Sequence, residues 1–150
     1  MARKNSYTGR YKLDKNELGI VKYWARSYWQ WKERYKELEL EINKDCAIRY
    51  DKENVQTSNT SDMTCENAMK LAILDEKIKK IESAAQTAGG TELAPYILRS
   101  VTSGYDLPYE AINRNDMAQG LPPMPCGRDY FYMTRRQFYY VLAKLLMIKL

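Results

Sequence analysis

Two stretches of this sequence space their apolar residues at alternating intervals of three and four, and this pattern constrains the fold most strongly. The first stretch runs from about Leu13 to Tyr50, and its seam is Val21, Trp24, Tyr28, Trp31, Tyr35, Leu38 and Ile42. The second runs from about Asp62 or Thr64 to Ala88, and its seam is Leu71, Leu74, Ile78, Ile81, Ala85 and Ala88. Such spacing collects apolar side chains on one face of an α-helix, as in coiled coils. We therefore expect two long helices.

Local signals mark where these helices begin and end. Asp14 followed by Glu17 has the spacing of a capping box, in which each side chain accepts a hydrogen bond from the backbone amide of the other residue. Residues 51–61 are rich in Asn, Thr and Ser and predict a loop, whereas Gly89-Gly90 predicts the end of the second helix. Two long helices joined by one loop predict an antiparallel hairpin over residues 12–90.

The seams also suggest how the hairpin packs. The small Ala85 and Ala88 would face the bulky Trp24 and Tyr28, and a stripe of tryptophan and tyrosine at this spacing is more typical of a core than of a base-stacking platform. The same seam can instead pair two copies of the chain, so a homodimer through the hairpin stays open.

Shorter elements are expected over residues 91–150. A helix over 91–103 carries Leu93, Ile97, Leu98 and Val101 inward and ends at Gly104. A second short helix opens near Pro108, with Ile112 pointing to the core. Residues 115–125 contain Gly120 and three prolines and predict a loop, and a long final helix follows Gly127.

The final helix has two contrasting sides. At about 100° per residue, one side collects an apolar stripe, namely Phe131, Thr134, Phe138, Val141, Leu142 and Leu145. The neighbouring flank collects Arg128, Tyr132, Arg135, Arg136 and Tyr139. Arginine can bind phosphates or guanine edges and tyrosine can donate to phosphate, so this flank predicts a DNA-binding surface. The alternative is a core helix with a solvated basic edge.

Charge and composition narrow the function. Residues 1–50 carry 12 Lys and Arg against 7 Asp and Glu, residues 51–90 carry 5 against 7, and residues 91–150 carry 7 against 5. Basic ends around an acidic middle suit a polyanion contacted at two places. Residues 1–11 are polar and basic and predict a disordered arm.

Other composition features argue against several functional classes. The sequence contains no histidine, and Cys46, Cys65 and Cys126 form no Cys-x-x-Cys pair. This argues against histidine-based catalysis and metal sites, and we expect a protein that is not an enzyme, needs no cofactor and keeps its cysteines reduced. With neither a transmembrane-length apolar run nor a signal peptide, we expect a cytoplasmic protein that contacts no membrane.

A resemblance rests on the order of the later segments. The helix ending at Gly104, the helix opening at Leu107-Pro-Tyr-Glu, and the segment from Pro125-Cys-Gly-Arg to Arg135-Arg-Gln-Phe-Tyr-Tyr resemble small regulators of Gram-positive phages and prophages. These belong to the late-gene activator and autolysin-regulator group, whose C-terminal unit is similar to the helix-turn-helix of sigma factors. Residues 58–81 resemble the helix that precedes that unit, so the likeness covers roughly residues 60–150.

The resemblance implies a supporting helix at Tyr109–Ile112 and a recognition helix that opens over Gly127–Arg136. The predicted DNA-binding residues are Gly127, Arg128, Tyr132, Arg135, Arg136 and Tyr139. Backbone amides at Gly127 and Arg128 would add a phosphate contact. One departure is the connection over residues 115–125, since a helix-turn-helix ordinarily has a turn of three or four residues.

The sequence therefore predicts an all-α protein with a basic arm at 1–11, a helical hairpin at 12–90 and a helix-turn-helix-like unit of three helices at 91–150. The leading function is a phage-type, sequence-specific transcriptional regulator that binds double-stranded DNA and contacts host RNA polymerase or a second copy through its hairpin. Two alternatives remain, a DNA-packaging protein like a small terminase subunit and a protein-interaction module that binds a host protein.

Overall fold

The computed structural model describes residues 10–51, 58–118 and 122–150, including the side chains of 10–44, 63–114 and 122–150. Across these ranges the chain forms five helices and no β-strand. They are α1 (Lys15–Arg26), α2 (Tyr28–Asp51), α3 (Ser58–Val101), α4 (Tyr109–Ala118) and α5 (Arg128–Leu145). The predicted all-α class is confirmed, and residues 1–9 of the predicted basic arm lie outside the described ranges.

The described chain divides into two compact units. The first contains the residues up to Tyr28 and those from Lys80 to Leu150, and so includes α1, the end of α3, α4 and α5. The second spans Trp29–Lys79 and contains most of α2 and the first part of α3. No helix in the described part of the chain is long and apolar enough to cross a membrane.

The first predicted long helix is interrupted at Ser27. Its start is as predicted, because Asp14 and Glu17 form the capping box, with the Glu17 amide donating to the Asp14 carboxylate at 2.8 Å. At the interruption the Ser27 hydroxyl donates to the Tyr23 carbonyl at 2.8 Å, a back-bond that bends helices. The prediction of one continuous helix from Leu13 to Tyr50 was therefore wrong at this point.

Gly90 interrupts α3. Its backbone has φ 66° and ψ −175°, a conformation open almost only to glycine, so the helical stretches on its two sides are distinct. Next to it, a β-carbon at Gly89 would lie 2.9 Å from the Leu93 β-carbon and 3.2 Å from the Ala94 amide. The stop predicted at Gly89-Gly90 is confirmed, and lack of a side chain at Gly89 permits close packing there.

Two predicted loops are shorter than expected. Residues 58–61, predicted as loop, are the first turn of α3, and residues 52–57 lie outside the described ranges. Ser, Thr, Asn and Asp are frequent at helix N-termini, so this polar composition did not exclude a helix start. Residues 115–118 belong to α4, since no glycine or proline precedes Gly120. The connection from α4 to α5 is therefore residues 119–127.

The seam residues are buried to different degrees. Val21, Tyr28, Leu38, Ile78, Ile81 and Ala85 are buried, whereas Trp24, Trp31 and Tyr35 are half-buried. In the first unit the Tyr28 hydroxyl donates to the Glu82 carboxylate at 2.7 Å. In the second unit the Lys77 ammonium lies 5.0 Å from the Trp31 ring centroid. The buried seam residues therefore form core, and Trp24 and Trp31 are partly exposed to solvent.

The first unit is built around α5, which packs against α1 and α4. The core of the first unit consists of fully buried apolar side chains from α1, α3, α4 and α5, namely Val21, Ile81, Ile97, Val101, Ile112, Phe131, Phe138 and Leu142. The expected inward position of Ile112 is confirmed, and α4 starts directly after Pro108, whose carbonyl accepts from the Ile112 amide at 3.2 Å. The sides of α5 that remain exposed are set by this packing.

Candidate nucleic-acid interface

The buried side of α5 differs from the predicted stripe. Phe131, Thr134, Phe138 and Leu142 are buried as expected, but Val141 is half-buried and Leu145 is 39% exposed. Tyr139 and Ala143 are buried in their place. On a wheel of 100° per residue, the mean buried direction is rotated by about 50° toward Tyr139 and Ala143. Part of the predicted DNA-binding flank therefore faces the protein interior.

Tyr139 is the clearest case. Its side chain is 4% exposed and its hydroxyl donates to the Asp106 carboxylate. Lys22 on α1 bridges the same carboxylate at 3.3 Å. Burial, together with the hydrogen bond to Asp106, raises the pKa of Tyr139 far above its ordinary value. A buried, engaged phenol cannot contact a duplex, so we leave Tyr139 out of the candidate surface.

Arg135 is also engaged within the fold. Its Nη1 donates to the Ser100 hydroxyl and to the Leu107 carbonyl, both at 3.1 Å. Its guanidinium lies 4.9 Å from the Tyr132 ring centroid. Ser100 is fully buried and its hydroxyl donates to the same Leu107 carbonyl at 2.8 Å. Arg135 thus fixes the turn between α3 and α4, and replacing it would disturb that turn.

Tyr132 connects α5 to the start of α4. Its hydroxyl accepts from the Tyr109 amide at 3.1 Å, and the Tyr109 hydroxyl donates to the Cys126 carbonyl at 2.9 Å. These bonds hold the N-terminus of α5 against α4. Tyr132 is half-buried, and the Arg128 guanidinium lies over its ring.

Arg128 is the predicted site residue that the fold presents most openly. It begins α5 directly after Gly127, the exposed N-cap residue, and its side chain is 65% exposed. Its guanidinium lies 5.7 Å from the Tyr132 ring centroid and 3.4 Å from the Glu110 carboxylate on α4. An exposed ion pair of this kind is weak, about 0.2–1 kcal/mol. A phosphate or a guanine edge can therefore compete for Arg128.

The outward side of α5 carries a second set of suitable residues. It consists of side chains within about 120° of one another on the wheel, and we call it the α5 outer face: Asp129, Tyr130, Met133, Arg136, Gln137, Tyr140 and Lys144. Tyr130 is 53% exposed, Asp129 and Lys144 are exposed, and the others are half-buried. Of the predicted site residues, only Arg136 belongs to it.

Gln137 and Lys144 were left out of the predicted flank because the buried direction of α5 was placed about 50° from the observed one. The small Ala143 was the available signal in the sequence, since alanine allows a neighbouring helix to approach closely, and it is fully buried in the fold. Placing Ala143 inward turns Gln137 and Lys144 outward. The amide of glutamine can bind adenine through both its oxygen and its NH₂ group, and lysine can bind phosphate.

The connection before α5 is held in place by its neighbours. The Tyr96 hydroxyl donates to the Pro122 carbonyl at 2.7 Å, and the Met124 amide donates to the Asn113 side chain at 3.2 Å. Met124 is buried. Residues 122–127 therefore form a fixed lead into α5, although this connection is longer than the turn of a helix-turn-helix.

No grouping of candidate metal ligands occurs among the described residues. Cys65 and Cys126 are free thiols, with Cys65 exposed, and burial raises the pKa of the Cys126 thiol. A raised pKa disfavours the reactive thiolate. The predicted reduced state of Cys46 lies outside the described side chains.

Comparison of this chain with protein-family models, with curated proteins and with solved structures gives no match.

Proposed function

We propose that this chain is a sequence-specific DNA-binding protein whose α5 enters the major groove by its N-terminal end. The observation that carries the proposal is the division of α5 into a buried side and the α5 outer face. Arg128 is exposed at the N-terminal end of the same helix. An α-helix fits the major groove, and arginine and glutamine are the side chains that read guanine and adenine there.

The electrostatics of this end support the proposal. Arg128, Arg135 and Arg136 lie within the first three turns of α5, and Asp129 is the acidic residue in its first turn. Arg135 is held by uncharged oxygens, so its charge still adds to the field of the surface. A local excess of positive charge attracts phosphates and speeds association.

The regulatory role is the part of the proposal that comes from the resemblance to phage regulators. In that role α4 supports α5, and the predicted hairpin serves for dimerisation or for contact with host RNA polymerase. A basic helix that binds an acidic protein surface is the competing function, and binding to duplex DNA distinguishes the two.

The test compares wild type with a variant that carries both Arg128→Ala and Arg136→Ala. Binding would be measured on duplex fragments from the gene's own neighbourhood, with competitor DNA, at low and physiological salt. If each arginine reads a base edge, each substitution costs about 1–3 kcal/mol, which is roughly 5- to 150-fold in affinity. Arg135 stays unchanged, because its bonds to Ser100 and Leu107 belong to the fold.

Arg34→Ala is the matched control, since it removes an exposed arginine from the second unit. We expect the control to bind like wild type. Equal binding by the double variant, or no preference of wild type among fragments, would contradict the proposed function and favour a protein partner.

A further inference from the structure

A second group of cations and tyrosines lies at the C-terminal end of α5. The rings of Tyr11 and Tyr140 pack edge to face with centroids 5.4 Å apart. The Lys144 and Lys149 ammonium groups each lie 5.5 Å from the Tyr140 centroid, and the Arg10 guanidinium lies 5.8 Å from the Tyr11 centroid. We call these five residues the Tyr140 cluster.

The cluster is held together by the backbone as well as by ring contacts. The Lys149 ammonium donates to the Lys12 carbonyl at 2.7 Å, which joins the chain after α5 to the chain before α1. Beyond α5 the Ile148 amide donates to the Ala143 carbonyl at 3.0 Å, so the approach of Lys149 is also fixed. Lys149 is therefore placed by the fold, and Lys144 and Arg10 lie against the rings of the cluster.

Opposing charge near the cluster comes from Asp14. The pKa of Asp14 lies below its ordinary value because the Glu17 amide donates to the carboxylate, and Lys149 adds a smaller electrostatic contribution. That carboxylate is already committed to capping α1. One engaged carboxylate beside three cations leaves the cluster with an excess of positive charge.

The length of α5 places this cluster next to the DNA backbone if its N-terminus enters the groove. The helix has 18 residues and is therefore about 27 Å long, whereas the major groove is about 12 Å wide. If α5 lies across the groove, its C-terminal half extends beyond the groove and over the sugar-phosphate chain. Lysine, arginine and tyrosine are the usual donors to phosphate oxygens.

We propose that the Tyr140 cluster binds backbone phosphates of the same duplex that α5 reads, in a contact independent of base sequence. This inference rests on the proposed function. It adds a second site on the first unit, separate from Arg128 and built partly from residues that precede α1.

The test is the salt dependence of binding by a variant carrying Lys144→Gln and Lys149→Gln. Glutamine removes the charge and keeps a polar side chain. Two lost phosphate contacts should reduce the slope of log K against log salt by about two, at roughly 0.9 for each contact. The loss should be equal on a specific and an unrelated duplex, so their affinity ratio stays constant.

The matched control carries Lys36→Gln and Lys70→Gln, which remove two exposed lysines of the second unit. Circular dichroism would confirm that both variants fold. An unchanged slope, or a loss confined to the specific duplex, would overturn the inference while leaving the proposed function intact. Failure of wild type to bind any duplex would overturn both.

Discussion

Single side chains determine how much of the arginine-rich end of α5 remains available. Arg135 is committed to the turn between α3 and α4 by two bonds of 3.1 Å, and Tyr139 is committed to Asp106. Arg128 makes an exposed ion pair with Glu110 and lies over the Tyr132 ring. In the proposed function, Glu110 therefore competes with DNA for Arg128.

The substitution Glu110→Gln should strengthen DNA binding. It releases Arg128 from an exposed pair that contributes about 0.2–1 kcal/mol, so affinity should rise by up to about fivefold. Fluorescence anisotropy at low salt would measure the change. Glu37→Gln, which breaks the exposed pair with Arg34 in the second unit, is the matched control. An unchanged or weaker affinity would show that Glu110 does not compete with DNA.

Tyr139→Phe should destabilise the protein by about 1.5–3 kcal/mol, because it removes a buried donor to the charged Asp106. Denaturant unfolding at pH 8 would measure this loss. Lys22 still pairs with Asp106 in the variant, which limits the damage.

The same substitution should alter stability at high pH. The pKa of Tyr139 is raised in the folded state, so its stabilising contribution is complete below the unfolded value of about 10 and falls as pH rises above it. The difference between wild type and Tyr139→Phe should then shrink by about 1.4 kcal/mol per pH unit above pH 10. Tyr105→Phe, at a 63% exposed position, is the control. A constant difference up to pH 11 would contradict the buried hydrogen bond.

At the level of the helices, boundaries follow from local backbone chemistry. The end of α5 is a Schellman motif, in which the Ile148 amide donates to the Ala143 carbonyl and the Met147 amide donates to the Lys144 carbonyl. Its central residue, Met147, has φ 58°, a left-handed conformation that disfavours side chains. Helix α5 therefore ends at Leu145, although no glycine or proline follows Gly127 in the sequence.

Met147→Gly should stabilise the protein. The left-handed conformation costs about 1–2 kcal/mol for a residue with a β-carbon, and the added freedom of glycine in the unfolded chain offsets part of this gain. Met147 is 77% exposed, so little burial is lost. We expect a net gain of up to about 1 kcal/mol, or roughly 2–4 °C in Tm. Gly90→Ala is the converse control and should cost about 1–3 kcal/mol. A lower Tm for Met147→Gly would refute the assigned motif.

Features that depend on a few neighbouring residues were predictable from sequence. The Asp14–Glu17 capping box, the break at Gly90 and the start of α4 after Pro108 each need information from within four positions. The burial of Tyr139 was not predictable, because it depends on Asp106 and Lys22, which lie 33 and 117 positions away along the chain. The predicted buried direction of α5 was therefore about 50° from the observed one, and part of the predicted flank turned out to face the interior.

On the scale of the whole molecule, the proposed DNA contacts all lie in the first unit. Arg128, the α5 outer face and the Tyr140 cluster belong to residues up to Tyr28 or after Lys80. Both units expose large apolar side chains, such as Tyr23 at 68% and Met147 at 77% in the first unit, and Leu40 at 68% and Met69 at 64% in the second. Exposed apolar groups suit protein contacts more than phosphates.

Selection from a randomised duplex pool would test whether α5 reads DNA through its outer face. Wild type would be compared with a variant carrying Arg136→Ala and Gln137→Ala, which leaves Arg128 and the Tyr140 cluster intact. We predict that wild type enriches one defined sequence and that the variant still binds DNA but loses preference at a few adjacent base pairs. Wild type that enriches no sequence, or a variant that enriches the same one, would contradict the claim.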